Sequence, residues 1–323
     1  MSKFSDFGND LYSGDRSIDF VGRRKVFYII ALVMITLAIV APAARGGFNF
    51  GIEFRGGSEF RVSGVEQTDQ RVAIDAVRTV VPEANPAVTA VGTSDLRIQT
   101  EQLSPTESEE VRIALANAFN INSSGVASSF IGANWGADIT SKAFIGLLVF
   151  IGMAFVLMAV YFRTLKMSFA AMIALFHDLI LTAGIYGALG FEVTPAAVIG
   201  FLTILGYSLY DTVVVFDKIR ENTFEVEFSE TSTFAERVNL AVNQTLVRSI
   251  NTTVVAVLPV ASILFIGAAL LGAGTLRDIA LALFIGMLVG TYSTIFIAAP
   301  VYSHMREGEA KYKTSADKVL ASR

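Results

Sequence analysis

Leu205 to Asn222 reads LGYSLYDTVVVFDKIREN. The stretch begins inside a long apolar run and ends in charged, helix-forming residues. Asp211 arrives before the apolar character has run out. Asp217 closes the run and is followed by Lys218, Arg220 and Glu221. An ionisable group inside a membrane span costs roughly 2.5–3.5 kcal/mol on insertion scales, so it calls for a functional explanation. The fold turns on whether this stretch crosses a membrane.

Composition favours a membrane protein. Of 323 residues, 53% are hydrophobic and 17% charged, against about 25% charged in soluble domains. The apolar residues are also clustered. A net charge of -4 gives no sign of nucleic-acid binding. With no Cys in the chain, disulfides and thiolate metal sites are excluded. His177 and His304 are far apart, against a His-based zinc site. No GxxxxGK[ST] stretch is present for ATP. Neither cofactor nor metal is expected, and nothing points to an enzyme.

Working outward, Pro195 to Phe216 is a fourth apolar run. Before it stand Val26 to Ala44, Ala143 to Tyr161 and Met167 to Gly190; after it come Thr253 to Leu271 and Leu276 to Tyr302. Each is near the roughly 20 residues a bilayer requires. Ala41-Pro42-Ala43 has the form of a signal-peptide cleavage site, but the first run exceeds the roughly 7–15 residues of a signal core. Six retained spans place both ends on one side. Arg23 to Lys25, Arg163 with Lys166, Lys218 with Arg220, and Arg306, Lys311 and Lys313 all fall there, which the positive-inside rule makes the cytoplasm. Residues 1–25 are then a cytoplasmic N-terminal segment, 143–302 hold spans two to six, and 303–323 are a cytoplasmic tail. Residues 217–252 mix Phe224, Phe228, Phe234, Val238, Leu240 and Val242 with charges. They read as an amphipathic cytoplasmic helix continuing into the fifth span, or as a solvated loop.

Residues 45–142 are polar and fall on the other side. Gly51 to Val65 reads as a strand with a bulge or kink at Gly56-Gly57. Thr68 to Val81 has helical spacing. Ala87 to Val91 and Leu96 to Thr100 read as strands. Ser104-Pro105 opens a helix containing Val111 and Leu115, and Val126 to Ile131 closes the set. The order βαββαβ predicts a small α+β, ferredoxin-like domain. It carries no catalytic constellation and reads as an extracytoplasmic binding or mechanical domain.

Within the membrane, Asp211 lies six residues before Asp217, about 9 Å deeper at 1.5 Å per residue. Lipid exposure there is unfavourable, so the acid should face a helix interface or a water-filled path. Loss of water raises a carboxyl pKa and a nearby cation lowers it. A group pulled both ways suits a proton carrier; a fixed polar tie between helices is the competing reading. Arg248, in NQTLVRSINTT, is the candidate counter-charge, its planar fork suited to a carboxylate. The alternative is an interfacial Arg contacting lipid phosphates. His177-Asp178, near the middle of the third span, is a further candidate pair for proton transfer or for helix packing. Asp217 is expected at the interface, paired with Lys218 or Arg220. Gly184, Gly187 and Gly190 in the third span, and Gly286 with Gly290 in the sixth, favour close helix approach.

Three segments carry a resemblance. FNFGIEFRGG (Phe48 to Gly57), LGYSLYDTVVVFDKIREN and NQTLVRSINTT (Asn243 to Thr253) resemble those of the SecF family. That family supplies the smaller subunit of the bacterial SecD–SecF protein-export complex, a resistance-nodulation-division type of transporter. The likeness covers nearly the whole chain. Glu53 departs from the Asp usual in the family but keeps the carboxylate. The resemblance implies partnership with SecD and the SecYEG channel in the cytoplasmic membrane. It also implies use of the proton motive force to draw translocating preproteins outward. It places a functional acid at Asp211 and a functional Arg at Arg248, and gives His177-Asp178 no defined role. Two rivals remain at this stage. One is a stand-alone proton-coupled small-molecule antiporter; the other is a scaffold whose intramembrane charges only hold helices together.

Overall fold

The computed structural model describes residues 3–65, 69–92, 94–224, 231–267 and 274–322. Helix α1 (Lys3–Ser13) precedes the first span, α2 (Arg24–Ala44). Strand β1 (Asn49–Phe50) and a single helical turn, α3 (Ile52–Arg55), lead into the sheet domain. That domain contains β2 (Gly57–Val62), α4 (Gln70–Val80), β3 (Ala87–Val91), β4 (Asp95–Thr100), α5 (Pro105–Ala118) and β5 (Val126–Ile131). The second and third spans are α6 (Ala133–Phe162) and α7 (Leu165–Leu189). After β6 (Glu192–Val193) come the fourth span, α8 (Pro195–Thr223), and the fifth, α9 (Phe234–Ser262). The fifth ends in a π-helical turn, Ile263–Gly267. The sixth span is wound in three pieces: Gly274–Ser293, a π-helical turn at Thr294–Ala298, and Ala299–Glu307. A last helix covers Ala310–Ala321.

Among the described residues, six helices are long and apolar enough to cross a membrane. The third and sixth are the inner ones, with most of their side chains covered. The first, second and fifth expose Leu32, Leu37, Val149, Leu157, Val255 and Leu258. Such a surface suits hydrocarbon, where a helix satisfies its own backbone. With six spans, both termini share one face of the bundle and the sheet domain lies on the other. Residues 268–271 of the fifth apolar run, and Phe228, lie outside the described residues.

The helix ends follow local chemistry. Thr194 caps α8, accepting from the amide of Ala197, with Pro195 at the first helical position. Thr233 and Glu236 form a capping box on α9. Gly190, expected to pack against a neighbour, instead ends α7 in the left-handed conformation, φ 75°. Helix α6 starts before Ala143, because Ala133 to Lys142 continue the helix beyond the apolar run.

In the sheet domain the strand order is β3-β4-β2-β5 with every neighbour antiparallel. Numbering the strands within the domain gives 2-3-1-4, the arrangement expected of βαββαβ. Phe60, Val62, Leu96 and Ile98 of the sheet meet Val77, Val111 and Leu115 of the helices in one core. The strand read over Gly51 to Val65 is shorter than expected. Its first residues coil into α3, and Gly56 and Gly57 turn the chain at φ 78° and 149°. A Cβ on Gly57 would stand 2.4 Å from the carbonyl oxygen of Thr100, so only glycine permits this approach.

The terminal face is more ordered than its polar sequence implied. Leu11, Phe20 and Val21 join Phe234, Val238 and Val242 of α9 in the main core. Asn239 accepts from the amides of Phe20 and Val21, and Asn243 from that of Ile18. The amphipathic segment is thus a helix running into the fifth span, with the N-terminal strap covering its apolar side. Tyr312 of the last helix packs on Phe234 at 4.4 Å between ring centroids. Asp217 is exposed, and its expected partner Lys218 pairs instead with Glu221 at 2.6 Å. One helical turn forward is closer than the neighbouring position on the helix surface.

Close helix contact depends on small residues. A Cβ on Gly184 would fall 2.3 Å from that of Ala38, and one on Gly286 2.4 Å from Ile204 Cγ1. Gly146 has open space. Gly184→Val is therefore expected to destabilise the solubilised protein by about 1–3 kcal/mol through overpacking. Its thermal unfolding midpoint should fall, while that of Gly146→Val should not move.

Candidate functional site

The polar residues of the bundle gather in one layer where the third, fourth, fifth and sixth spans meet. Asp211 is 5% exposed. Its neighbour along the α8 face, Ser208, lies three residues earlier, one turn away. Ser249 Oγ on α9 donates to Asp211 Oδ1 at 2.8 Å. Asp211 Oδ2 is buried and has no hydrogen-bond partner. Thr212 and Thr294 hydroxyls meet at 3.0 Å. Thr294 opens the π-helical turn of the sixth span, a local widening frequently found at functional sites.

Asp178 is held from two sides. Ser208 Oγ donates to its Oδ2 at 2.5 Å, and His177 Nδ1 lies 3.2 Å from its Oδ1. His177 and Asp178 are 3% and 2% exposed. Close packing makes room for this contact: a Cβ on Gly290 would stand 3.1 Å from Ser208 Cβ and 3.6 Å from Asp178 Oδ2. His177 Nε2 has no partner, and its ring lies 6.1 Å from that of Tyr292. A third chain of hydroxyls runs from Tyr207 to Thr253 at 3.3 Å and from Thr253 to Thr291 at 2.5 Å. Asp178 and Asp211 are thus linked to one helix face through Ser208 and its next turn.

Arg248 does not join the layer. Consecutive helical residues point about 100° apart at 3.6 residues per turn, and Ser249 is the one facing inward. Arg248 is exposed and makes no ion pair with Asp211 among the described residues. Its charge acts on the carboxyl only through space. Of the two placements open to Arg248, the structure shows no direct contact with the acid: a serine hydroxyl touches Asp211, and the guanidinium stands one position round the helix.

Sequence reasoning identifies the acids, and the segment NQTLVRSINTT that it singles out contains Ser249 and Thr253. It missed Ser208, Thr291 and Thr294. Ser208 had a usable signal, lying one turn from Asp211. Thr291 and Thr294 had none, since their helix faces are ordered only by the packing of the sixth span. No group of His, Asp and Glu among the described residues has the arrangement of a metal site.

A second polar region joins the sheet domain to the bundle. Strand β1 pairs in parallel with β6, Asn49 with Glu192 and Phe50 with Val193. Arg97 of β4 forms an ion pair with Glu192 and lies 3.9 Å from Glu59. Thr194 donates to Asp278 Oδ2 at 2.9 Å. Burial pushes the Glu53 carboxyl here above its ordinary value, with Glu59 adding to the effect and Arg97 opposing it. A cavity of about 190 Å³ opens beside these groups, lined by Asn49, Arg97, Gln99, Glu192, Arg277 and Asp278. The domain is therefore tied to the loop between the third and fourth spans and faces the start of the sixth.

Residues 110–308 match the family described as protein export membrane protein SecD/SecF, C-terminal. The chain is 42% identical over 326 residues to the protein translocase subunit SecF of Streptomyces coelicolor, covering all of this chain and 86% of that one. It is 32% identical over 295 residues to the protein translocase subunit SecDF of Thermus thermophilus, covering 88% of this chain and 38% of the relative. It also resembles a crystal structure of SecDF, a translocon-associated membrane protein from Thermus thermophilus. The TM-score is 0.76 at 29% identity, over 91% of this chain and 39% of that one.

Among the described residues, the Ser249 hydroxyl is the hydrogen-bond donor that holds the Asp211 carboxyl. Ser249→Ala is expected to lower the stability of the solubilised protein by about 0.6–1.7 kcal/mol, the range for hydrogen bonds between membrane helices. Denaturant titration would detect it, and Ser249→Thr should retain most of the stability.

Proposed function

The chain belongs to the SecF family of protein-export membrane proteins, and from that premise we propose that it couples proton movement to the export of polypeptides. The observation that carries the proposal is the state of Asp211. One carboxyl oxygen is held by Ser249 and the other is buried without a partner. Such a carboxyl can take a proton on its free oxygen without breaking the bond that positions it. A purely structural tie would leave no acceptor open, because unsatisfied buried polar atoms are costly.

In this reading Asp211 alternates between protonated and charged forms as the bundle changes its packing. Arg248 supplies positive charge from outside the layer. Asp178, steadied by Ser208 and His177, is an additional proton-holding group. Movement reaches the sheet domain through β6, which continues from the third span and pairs with β1, and through Arg97 on Glu192. No covalent chemistry is assigned to the chain, and it is not an enzyme in this proposal. The work done is proton transfer and domain motion, with no cofactor, metal or nucleic acid involved.

The partner in this proposal is SecD. Support comes from the Thermus relative named SecDF, of which this chain spans only 38%. A separate SecD would cover apolar faces of the bundle and bring its own groups toward Arg248. The pair would act with the SecYEG channel on preproteins emerging from the bacterial cytoplasmic membrane. In this reading both ends lie in the cytoplasm and the sheet domain outside, an orientation that the basic residues of the terminal face support.

Asp211→Asn keeps the side-chain volume and removes titration. In membrane vesicles carrying the assembled complex, export stimulated by the proton motive force is expected to fall to the level seen with the force collapsed. Arg248→Met should lose the same stimulation, with Arg248→Lys keeping part of it. Normal export by an assembled Asp211→Asn complex would leave Asp211 a structural tie.

A further inference from the structure

The layer around Asp211 lies deep in the bundle, and a proton from the domain face needs a route to it. One face of α7 offers polar groups at the right intervals. Tyr186, Thr182 and Asp178 are spaced four residues apart, about 6 Å along the helix at each step. At the outer end, the Tyr186 hydroxyl donates to the carbonyl of Asp278 at 3.3 Å. Asp278 lines the polar cavity at the domain face, with Arg277, Glu192 and Arg97 around it. At the inner end, Asp178 is bonded to Ser208, one turn from Asp211.

Thr182 occupies the middle, and its hydroxyl departs from the pattern of most threonines in the spans. Thr36, Thr203, Thr245, Thr252, Thr253 and Thr291 all turn back to the carbonyl four residues earlier in their own helix. Thr182 does not, although the Asp178 carbonyl is available in the same way. Its side chain is 1% exposed and its Oγ1 has no partner in the protein. Buried hydroxyls are rarely left unbonded; where protein does not satisfy them, water does.

We propose that Tyr186, Thr182 and Asp178 line a hydrated proton-uptake path from the Asp278 cavity to Asp211. The path rests on the proton-coupling role given to Asp211 above. Water bridges the gaps between the hydroxyls. At each step an oxygen accepts one proton and releases its own to the next, so no charge is left behind. Asp178 receives the proton on its carboxylate, and Ser208 with intervening water passes it round the turn of α8 to the free Oδ2 of Asp211.

The absence of cysteine from the chain permits a direct test in the assembled complex. Thr182→Cys is expected to react with a small, membrane-impermeant, cationic thiol reagent added on the domain side, in resting or translocating complexes. Leu157→Cys, on the lipid-facing surface, should remain unlabelled. Failure of Thr182→Cys to react in both states, or reaction from the terminal face alone, would overturn the path. Labelling needs no proton coupling, so it is judged separately from the Asp211→Asn result. In the same complexes, Thr182→Val keeps the shape and removes the hydroxyl. Its export-coupled proton uptake should drop close to that of Asp211→Asn, with Thr182→Ser restoring it. Unchanged uptake in Thr182→Val would also overturn the path.

Discussion

Hydrocarbon offers no hydrogen bonds, and the arrangement of the bundle follows from that constraint. Backbone groups satisfy themselves within the helices. Side-chain polar groups cannot, so they must meet at helix interfaces or find water. This is why Asp178, Ser208, Asp211, Ser249, Thr253, Thr291 and Thr294, from four different spans, share one layer. Ser249 reaching Asp211 and Ser208 reaching Asp178 are the contacts that close it. Small residues let the helices come near enough for these short side chains to touch. Gly286 lies against Ile204 and Gly290 against Ser208, so the glycine positions of the sixth span and the polar layer form one design.

The satisfaction is incomplete in a patterned way. Asp211 Oδ2, His177 Nε2, Thr182 Oγ1 and the Tyr292 hydroxyl are buried without protein partners. They lie in or beside the layer; the Tyr28 hydroxyl, near the terminal end of the first span, is a further unpartnered group. A scaffold that only needed stable helix contacts would gain by pairing or removing them. Open positions of this kind are what the proposed proton transfer requires. The π-helical turn at Thr294 adds a point where the sixth span departs from regular winding beside the layer.

The connection to the sheet domain is mechanically direct. The third span leads through Gly190 into β6, which pairs with β1 of the segment joining the first span to the domain. Arg97 then ties the sheet itself to Glu192. The third and fourth spans are thus joined to the domain through backbone pairing and an ion pair, without a long flexible link. On the opposite face, the N-terminal strap and the last helix pack over the start of the fifth span through Asn239, Asn243 and Phe234. The bundle is thus braced at the terminal face and coupled to a domain at the other.

The sequence by itself determined the spans, the βαββαβ order and the costly acid in LGYSLYDTVVVFDKIREN. These depend on local quantities: apolar length, hydrophobic period, and a charge placed where water is absent. Asp211 and the pair His177-Asp178 were legible for the same reason. Tertiary structure alone decided who touches whom. Helix rotation put Ser249 against Asp211 and left Arg248 outside, a difference of one residue that no composition reveals. It also turned Gly51 to Arg55 from an expected strand into a helical turn, folded the polar N-terminus onto α9, and left the Thr182 hydroxyl unpaired. Those outcomes are fixed by the relative rotation and closeness of helices distant in sequence. They arise only when the whole bundle packs.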